Sequence, residues 1–244
     1  LSEHVACSVT PAQLYQQLLP ASAVPDSVRQ QAQQFRHGKG NMQIHLALSA
    51  APRWKGPAEL GETIYVHLTA GAQAISAAVN QAENGLLPAV PTVCVAQPTA
   101  VDASRAPEGH HILWVQVRVL PKHVKGDAAG EIATDGAWSE AVRESFADRI
   151  ESILKRHIKD FDAIKLARRA YSPADLEQMN VNLVGGDPYG GACSIDQFFL
   201  WRPLRGSRNH DTPVKRLWQI GASTHPGPGL GGGSGFNAAK RLGA

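Results

Sequence analysis

Residues 217–242 constrain this chain more than any other stretch. A short apolar run, Leu217-Trp-Gln-Ile220, leads into Gly221-Ala-Ser-Thr-His-Pro-Gly-Pro-Gly-Leu-Gly-Gly-Gly-Ser-Gly235 and then into Phe236-Asn-Ala-Ala-Lys-Arg-Leu242. The order predicts a strand, a loop of Gly and Pro, and a helix of small residues. Glycines at 227, 229, 231, 232, 233 and 235 remove Cβ atoms where the main chain must come close to something. A helix that opens on such a loop offers bare N–H groups and the positive end of its dipole to a flat, electron-accepting or anionic ligand. The competing reading is a flexible linker, because Gly231-Gly-Gly-Ser-Gly235 has a linker's composition. The placement between an apolar strand and a helix-forming segment favours the ligand loop.

The loop is not a known phosphate or nucleophile motif. No GxxxxGK[ST] occurs in the sequence. Ser234 lacks the Gly two residues later that a nucleophile elbow requires.

The 244-residue chain as a whole bounds the function classes. Hydrophobic residues make up 43% and charged residues 18%, enough to build a core and too apolar for global disorder. The formal charge of +3 comes without a basic block or an Arg/aromatic stripe, which argues against nucleic acid. Cys7, Cys94 and Cys193 are far apart, so neither a disulfide framework nor a zinc site is expected. No signal peptide and no apolar run of membrane-spanning length is seen. We therefore expect a soluble, cytoplasmic protein with room for shallow membrane contact. Leu1 begins in mid-pattern without Met, and a fragment is expected.

Along the chain, Thr10-Pro11 starts a helix with Leu14, Leu18 and Leu19 on one face. Pro25-Asp26 opens a second, with Val28, Ala32 and Phe35 inward. Residues 42–48 alternate as a half-buried strand and residues 63–68 form another. Thr69 is the expected cap of an Ala-rich helix reaching Ala82. A short strand at 93–96 and a strand at 111–120, apolar on both faces, follow. Ser139 caps the strongest helix, with Val142, Phe146, Ile150, Ile153 and His157 at helical spacing. Residues 161–170 read as a strand with a basic end, Lys165, Arg168 and Arg169, and Ser172-Pro-Ala-Asp-Leu-Glu177 caps a short helix. From Gly185 the composition turns to Gly, Pro and aromatics, which marks a boundary.

Other candidate groups weigh less. His225 sits beside the loop, but a histidine tying its own backbone is the commoner case. Arg202 and Arg205 flank Pro203 and are candidate phosphate ligands or ordinary surface charges. His4, His37, His45, His67 and His110-His111 show no metal-ligand spacing. Phe198, Phe199 and Trp201 read as core, with an apolar substrate pocket as the alternative. Asp187, Asp196 and Asp211 have no spacing that selects an acid and a base. No nucleophile–base pair stands out, which leaves a hydrolase without support.

Residues 221–239 resemble the C-terminal flavin-binding motif of the phytoene-desaturase-like FAD oxidoreductases, closest to the pyridine-nucleotide-disulfide-oxidoreductase-domain and carotenoid-ketolase-like branch. Three upstream stretches are similar to the same family: Pro98 to Gly109, Ser172 to Glu177, and Gly185-Gly-Asp-Pro-Tyr-Gly-Gly-Ala-Cys-Ser-Ile-Asp-Gln197. The resemblance implies an α/β flavoprotein with a Rossmann-like FAD domain and a mixed-sheet α+β substrate domain. Residues 1–36 would end a discontinuous FAD domain, 37–183 would form the substrate domain, and 184–244 would return to the FAD domain. The implied cofactor is FAD, held by Gly221, Ala222, Gly229, Leu230, Gly231, Gly232 and Gly233. No metal is implied, and no catalytic residue is assigned.

The strand–GxGxxG–helix that opens such families is absent near the N-terminus, since Gly227-x-Gly229-x-x-Gly232 lies at the wrong end. The chain is accordingly expected to be the C-terminal portion of a longer enzyme. The implied reaction is hydride transfer from an apolar small molecule to flavin N5, with Phe198, Phe199, Trp201 and the Trp114 strand as candidate cavity walls. The implied partner is the missing N-terminal half or another chain. The rival class is a non-catalytic binding or scaffolding protein that keeps the substrate domain and docks a partner through exposed apolar surface.

Overall fold

The computed structural model describes residues 2–207, 210–229 and 232–243. Contacts divide the chain into two units, one formed by residues 1–38 with 180–244 and the other by residues 39–179. Each is an α/β arrangement with its own core.

The chain enters the first unit with strand β1 (Val5–Cys7). Thr10 then accepts from the Gln13 amide, Pro11 stands at the first helical position, and the turn widens to π geometry over Leu14–Leu18. Leu14 and Tyr15 are buried while Leu18 is 60% exposed, so the inward face is not the Leu14/Leu18 stripe that α-helical spacing predicts. The π turn breaks the 3.6-residue period on which that stripe depends. Helix α1 (Asp26–Gln34) follows, with Ala32 and then Phe35 inward.

The second unit is built on strands β2 (Gly40–Leu48), β3 (Tyr65–Leu68), β4 (Val93–Ala96), β5 (His111–Leu120) and β6 (Lys165–Tyr171). They form one sheet in the order β6-β2-β5-β4-β3. Every pairing in it is antiparallel; a mixed sheet was the expectation, and parallel pairing here is confined to residues 86–87 with 126–127. The apolar parity of β2 is realised in full: Met42, Ile44, Leu46 and Leu48 are at most 1% exposed. β5 lies at the centre, which explains its apolar character.

Between β3 and β4 runs helix α2 (Ala72–Glu83), whose N-cap is Gly71 rather than Thr69. The Thr69 hydroxyl instead accepts from the Gly71 amide, closing a local turn. Helix α3 (Glu140–His157) is capped by Ser139, whose hydroxyl accepts from the Val142 amide. It lays Val142, Phe146, Ala147, Ile150 and Leu154 against the sheet in one core with Leu46, Leu113, Val115 and Val95. His157 is exposed, a correction to the predicted inward stripe; the helix ends there and its buried row finishes at Leu154.

The basic end of β6 has an electrostatic cause. Glu144, Asp148 and Glu151 form a stripe on α3, and Arg168 reaches all three at 2.7, 2.7 and 3.0 Å while Lys165 meets Glu151 at 2.6 Å. Residues 161–164 are a helical turn rather than the start of this strand. Helix α4 (Pro173–Met179) closes the unit. Its start is a reciprocal cap, with Ser172 N donating to Asp175 Oδ2 at 2.7 Å and Asp175 N donating to Ser172 Oγ at 3.2 Å.

The chain then returns to the first unit, adding strand β7 (Leu217–Gln219) and helix α5 (Gly233–Leu242). β7 pairs in parallel with β1, in the register Val5↔Leu217, Ala6↔Trp218, Cys7↔Gln219. Among the described residues no helix is long and apolar enough to cross a membrane.

Candidate functional site

The glycine loop leaves the end of β7. Ile220 N donates to Cys7 O at 2.9 Å, which carries the parallel pairing one step past the strand. The chain then folds back: Thr224 N donates to Gly221 O at 3.0 Å and Gly227 N to Thr224 O at 2.7 Å. The first turn of α5 is tied to this bend by Ser234. Its Oγ accepts from Gly221 N at 2.9 Å and lies 2.6 Å from Thr224 Oγ1. Thr224 Oγ1 donates to Gly221 O at 2.8 Å, so the Ser234 proton is the one directed at Thr224. Buried His210 completes the cluster. Its Nδ1 donates to Gln219 O at 3.0 Å, and burial holds its pKa below the ordinary value. Ser234 is thus a structural tie between helix and loop, a role that its place in a run of glycines does not announce.

The glycines divide into two kinds. A Cβ on Gly191 would overlap the Phe35 ring, and one on Gly233 would meet Pro226 Cγ at 3.0 Å. These serve the protein's own packing. Gly229 and Gly232 differ: φ is +156° and +62°, and a Cβ on either would meet nothing within 4 Å among the described residues. Gly232 is the N-cap of the ten-residue helix α5, in the left-handed conformation that favours glycine, and no side chain caps that end. The first amides of a helix lack intrahelical partners. Here the amides of Gly233, Ser234 and Gly235 meet no acceptor among the described residues.

Gly221 and Ala222 are placed differently from Gly229 and Gly232. The Gly221 amide is taken by Ser234, and the Ala222 carbonyl accepts from Arg202 Nε at 2.8 Å. Leu230 and Gly231 lie outside the described residues. The donor set at α5 fits a flat group with a negative edge: open space, glycine backbone and a positive helix end. FAD has such an edge, on the pyrimidine side of its ring.

Behind the loop stands a scaffold that sequence reasoning did not assign. Asp187 is fully buried and accepts from Gly38 N, Tyr189 N and Gly191 N at 2.7, 2.8 and 2.8 Å. Burial pushes its pKa up, but His37 and the three amides outweigh it and hold the carboxyl below the usual aspartate range. Arg202, 2% exposed, donates to the carbonyls of Tyr189, Gly191, Ala192 and Ala222 and stacks on Phe198 at 5.4 Å. This corrects the phosphate-ligand reading: its guanidinium is consumed by backbone carbonyls. Burial pulls its pKa below the ordinary arginine value. The signal was present in Gly185-Gly-Asp-Pro-Tyr-Gly-Gly191, a carboxylate set among glycines whose amides can turn toward it.

Other candidates are dispersed. His225 is exposed. Phe199 and Trp201 are 60% and 44% exposed, so the core reading of that cluster is overturned. Trp114 belongs to the other unit. Asp196 pairs with Arg36, and Asp211 with Arg241. Among the described residues no group of three or more His, Cys, Asp or Glu is arranged to hold a metal ion.

Comparison with known proteins places these features in a family context. No protein-family profile matches the chain. It is 30% identical over 162 residues to pyridine nucleotide-disulfide oxidoreductase domain-containing protein 2 of Mus musculus, covering 66% of this chain and 26% of that protein. It is 33% identical over 144 residues to the zeta-carotene-forming phytoene desaturase of Myxococcus xanthus, covering 59% and 25%. A limonene dehydrogenase polypeptide of Castellaniella defragrans matches at 33% over 108 residues, 44% of this chain and 20% of that one. The chain therefore spans about a quarter of the length of the curated relatives it matches. A solved oxidoreductase from Methanosarcina mazei superposes with a TM-score of 0.47 at 12% identity, covering 100% of this chain and 43% of that one. By sequence, at low identity and over about 60% of its length, the chain is a homologue of the pyridine nucleotide-disulfide oxidoreductase domain proteins and the phytoene desaturases.

Proposed function

We propose that this chain is the C-terminal portion of an FAD-dependent oxidoreductase of the dehydrogenase or desaturase type. On this reading the unit of residues 1–38 and 180–244 is part of the FAD domain and residues 39–179 are the substrate domain. When bound, FAD would supply a two-electron acceptor for hydride from an apolar small molecule. The chain's own contribution is position and field. The Gly232–Gly235 amides at the start of α5 bind the negative edge of the ring, and Ser234, held by Gly221 and Thr224, fixes their direction. The Asp187 and Arg202 scaffold keeps the neighbouring backbone rigid. The N-terminal half, carrying the dinucleotide fold, is the proposed partner. The proposed setting is cytoplasmic, with peripheral membrane contact where an apolar substrate is taken up.

One observation carries this reading: Gly229 and Gly232 present bare backbone to open space at an uncapped helix start. The rival reading, a non-catalytic binding protein, draws on the exposure of Ile195 and Phe236, 87% and 68%. Titration of the purified chain with FAD, followed by flavin absorbance and fluorescence quenching, separates the two. Saturable binding that Gly232→Leu weakens at least about tenfold, with the unfolding midpoint retained, supports the flavin site. A chain that stays colourless at all FAD concentrations favours the binding protein.

A further inference from the structure

On the face of the five-stranded sheet opposite the main core, the second unit carries a cavity of about 210 Å³. Ile75, Ala78 and Val79 of α2 form an apolar wall, and Cys94 of β4 faces them beside His67 of β3 and Arg118 and Val119 of β5. His67 and Cys94 are direct cross-strand partners in the antiparallel register. This places Cys94 Sγ 3.7 Å from His67 Nε2, within hydrogen-bond reach for sulfur. None of these side chains belongs to the glycine loop, and none is used by the function proposed above.

Two further features converge on the same cavity. Val119 has φ +65°, a left-handed conformation that costs a β-branched residue dearly. It sits where the β2–β5 register slips, with Gly40 opposite Leu120 but Met42 opposite Val117. Such a bulge re-aims the side chains it carries. The carriers here are Arg118 and Val119, both in the cavity wall. Arg118 makes no ion pair among the described residues; its hydrogen bond there goes to Gln116 Oε1 at 3.4 Å. A thiol, a base and an uncompensated cation thus border one apolar pocket. Burial raises the Cys94 pKa and Arg118 opposes that, so the thiol needs a base at the moment of reaction.

We propose that this cavity is a covalent site for small α,β-unsaturated carbonyl compounds, with Cys94 as nucleophile, His67 as base and Arg118 as the ligand for the carbonyl oxygen. The step balances without an oxidant or reductant. His67 Nε2 takes the thiol proton, sulfur bonds to the β-carbon, and the π pair of the C=C bond moves toward the carbonyl oxygen beside Arg118. The proton then passes to the α-carbon, leaving a thioether and a neutral imidazole. The apolar wall takes the hydrocarbon tail. At roughly 30 Å³ per water-sized group, the volume suits a chain of about six carbons.

The test uses the 244-residue chain and trans-2-hexenal, with site-resolved mass spectrometry of the three cysteines. Cys193 is exposed and serves as the internal reference. Cys94 should form the adduct faster than Cys193, and His67→Gln should slow Cys94 by about tenfold or more without changing Cys193. Val79→Trp, at a partly exposed wall position, should block the hexenal adduct at Cys94 while leaving labelling by iodoacetamide. Circular dichroism checks that both variants stay folded. If Cys94 reacts no faster than Cys193, or if His67→Gln leaves its rate unchanged, the proposal is overturned.

Discussion

Asp187 shows how one residue organises a glycine-rich segment. Its carboxylate gathers three amides from two separate stretches of chain, and with no side-chain exposure it has no water to replace them. Its folded pKa is depressed, so below the ordinary value the unfolded state binds the proton more readily than the folded one. Stability from this group is therefore present above the ordinary aspartate value of 3.8 and lost as pH falls through the lower folded value. Asp187→Asn should lower stability at neutral pH by about 1–3 kcal/mol and flatten the acid loss. Hydrogen exchange of residues 187–192 at neutral and acid pH measures both effects. An unchanged difference between the proteins at the two pH values would show that another group controls the acid response.

At the scale of elements, polar ties fix where helices begin and how they dock. Ser139→Ala removes the hydroxyl that accepts from Val142 N and should destabilise the second unit by about 1 kcal/mol, read as a shift in urea midpoint. The Arg149–Asp127 pair matters more. Arg149 donates to both Asp127 oxygens at 2.7 and 2.6 Å, and the Asp127 side chain is 1% exposed. Burial pushes the Asp127 carboxyl up, but Arg149 and the amides of Glu131 and Ile132 bring it to about 2. Arg149→Ala would leave this carboxylate buried without its cation and should cost about 3–5 kcal/mol. Arg149→Ala with Asp127→Ala should recover part of that loss, and a double-mutant cycle in urea measures the recovery.

Over the whole molecule, each unit has a core of its own. The larger cluster runs from Met42 to Ala170 and lies wholly within residues 39–179, while Leu14, Tyr15, Phe35 and Leu204 share the other. The larger unit is a single continuous segment, so residues 39–179 expressed alone should fold and unfold cooperatively, checked by circular dichroism and urea titration. Ile150→Ala in that segment should cost about 2–5 kcal/mol, because Ile150 is fully buried. A segment that shows no cooperative transition would mean that its core depends on the rest of the chain.

The sequence by itself determined the periodic elements. The parity of residues 42–48, the stripe of α3 and the caps at Ser139 and Ser172 can each be read within a few turns of chain, because local geometry sets their spacing. It also marked the glycine loop and, through the resemblance, the family that the comparisons support. It did not show that Arg202 is spent on backbone carbonyls, that Ser234 locks the loop to its helix, or that Phe199 and Trp201 are exposed. The Arg202 and Ser234 contacts join residues 10 to 20 positions apart, and burial is a property of what packs around a side chain rather than of the side chain itself. Tertiary structure likewise decided which glycines meet the protein's own atoms and which face open space. That distinction rests on φ and on neighbours brought in by folding, neither of which a run of identical letters encodes.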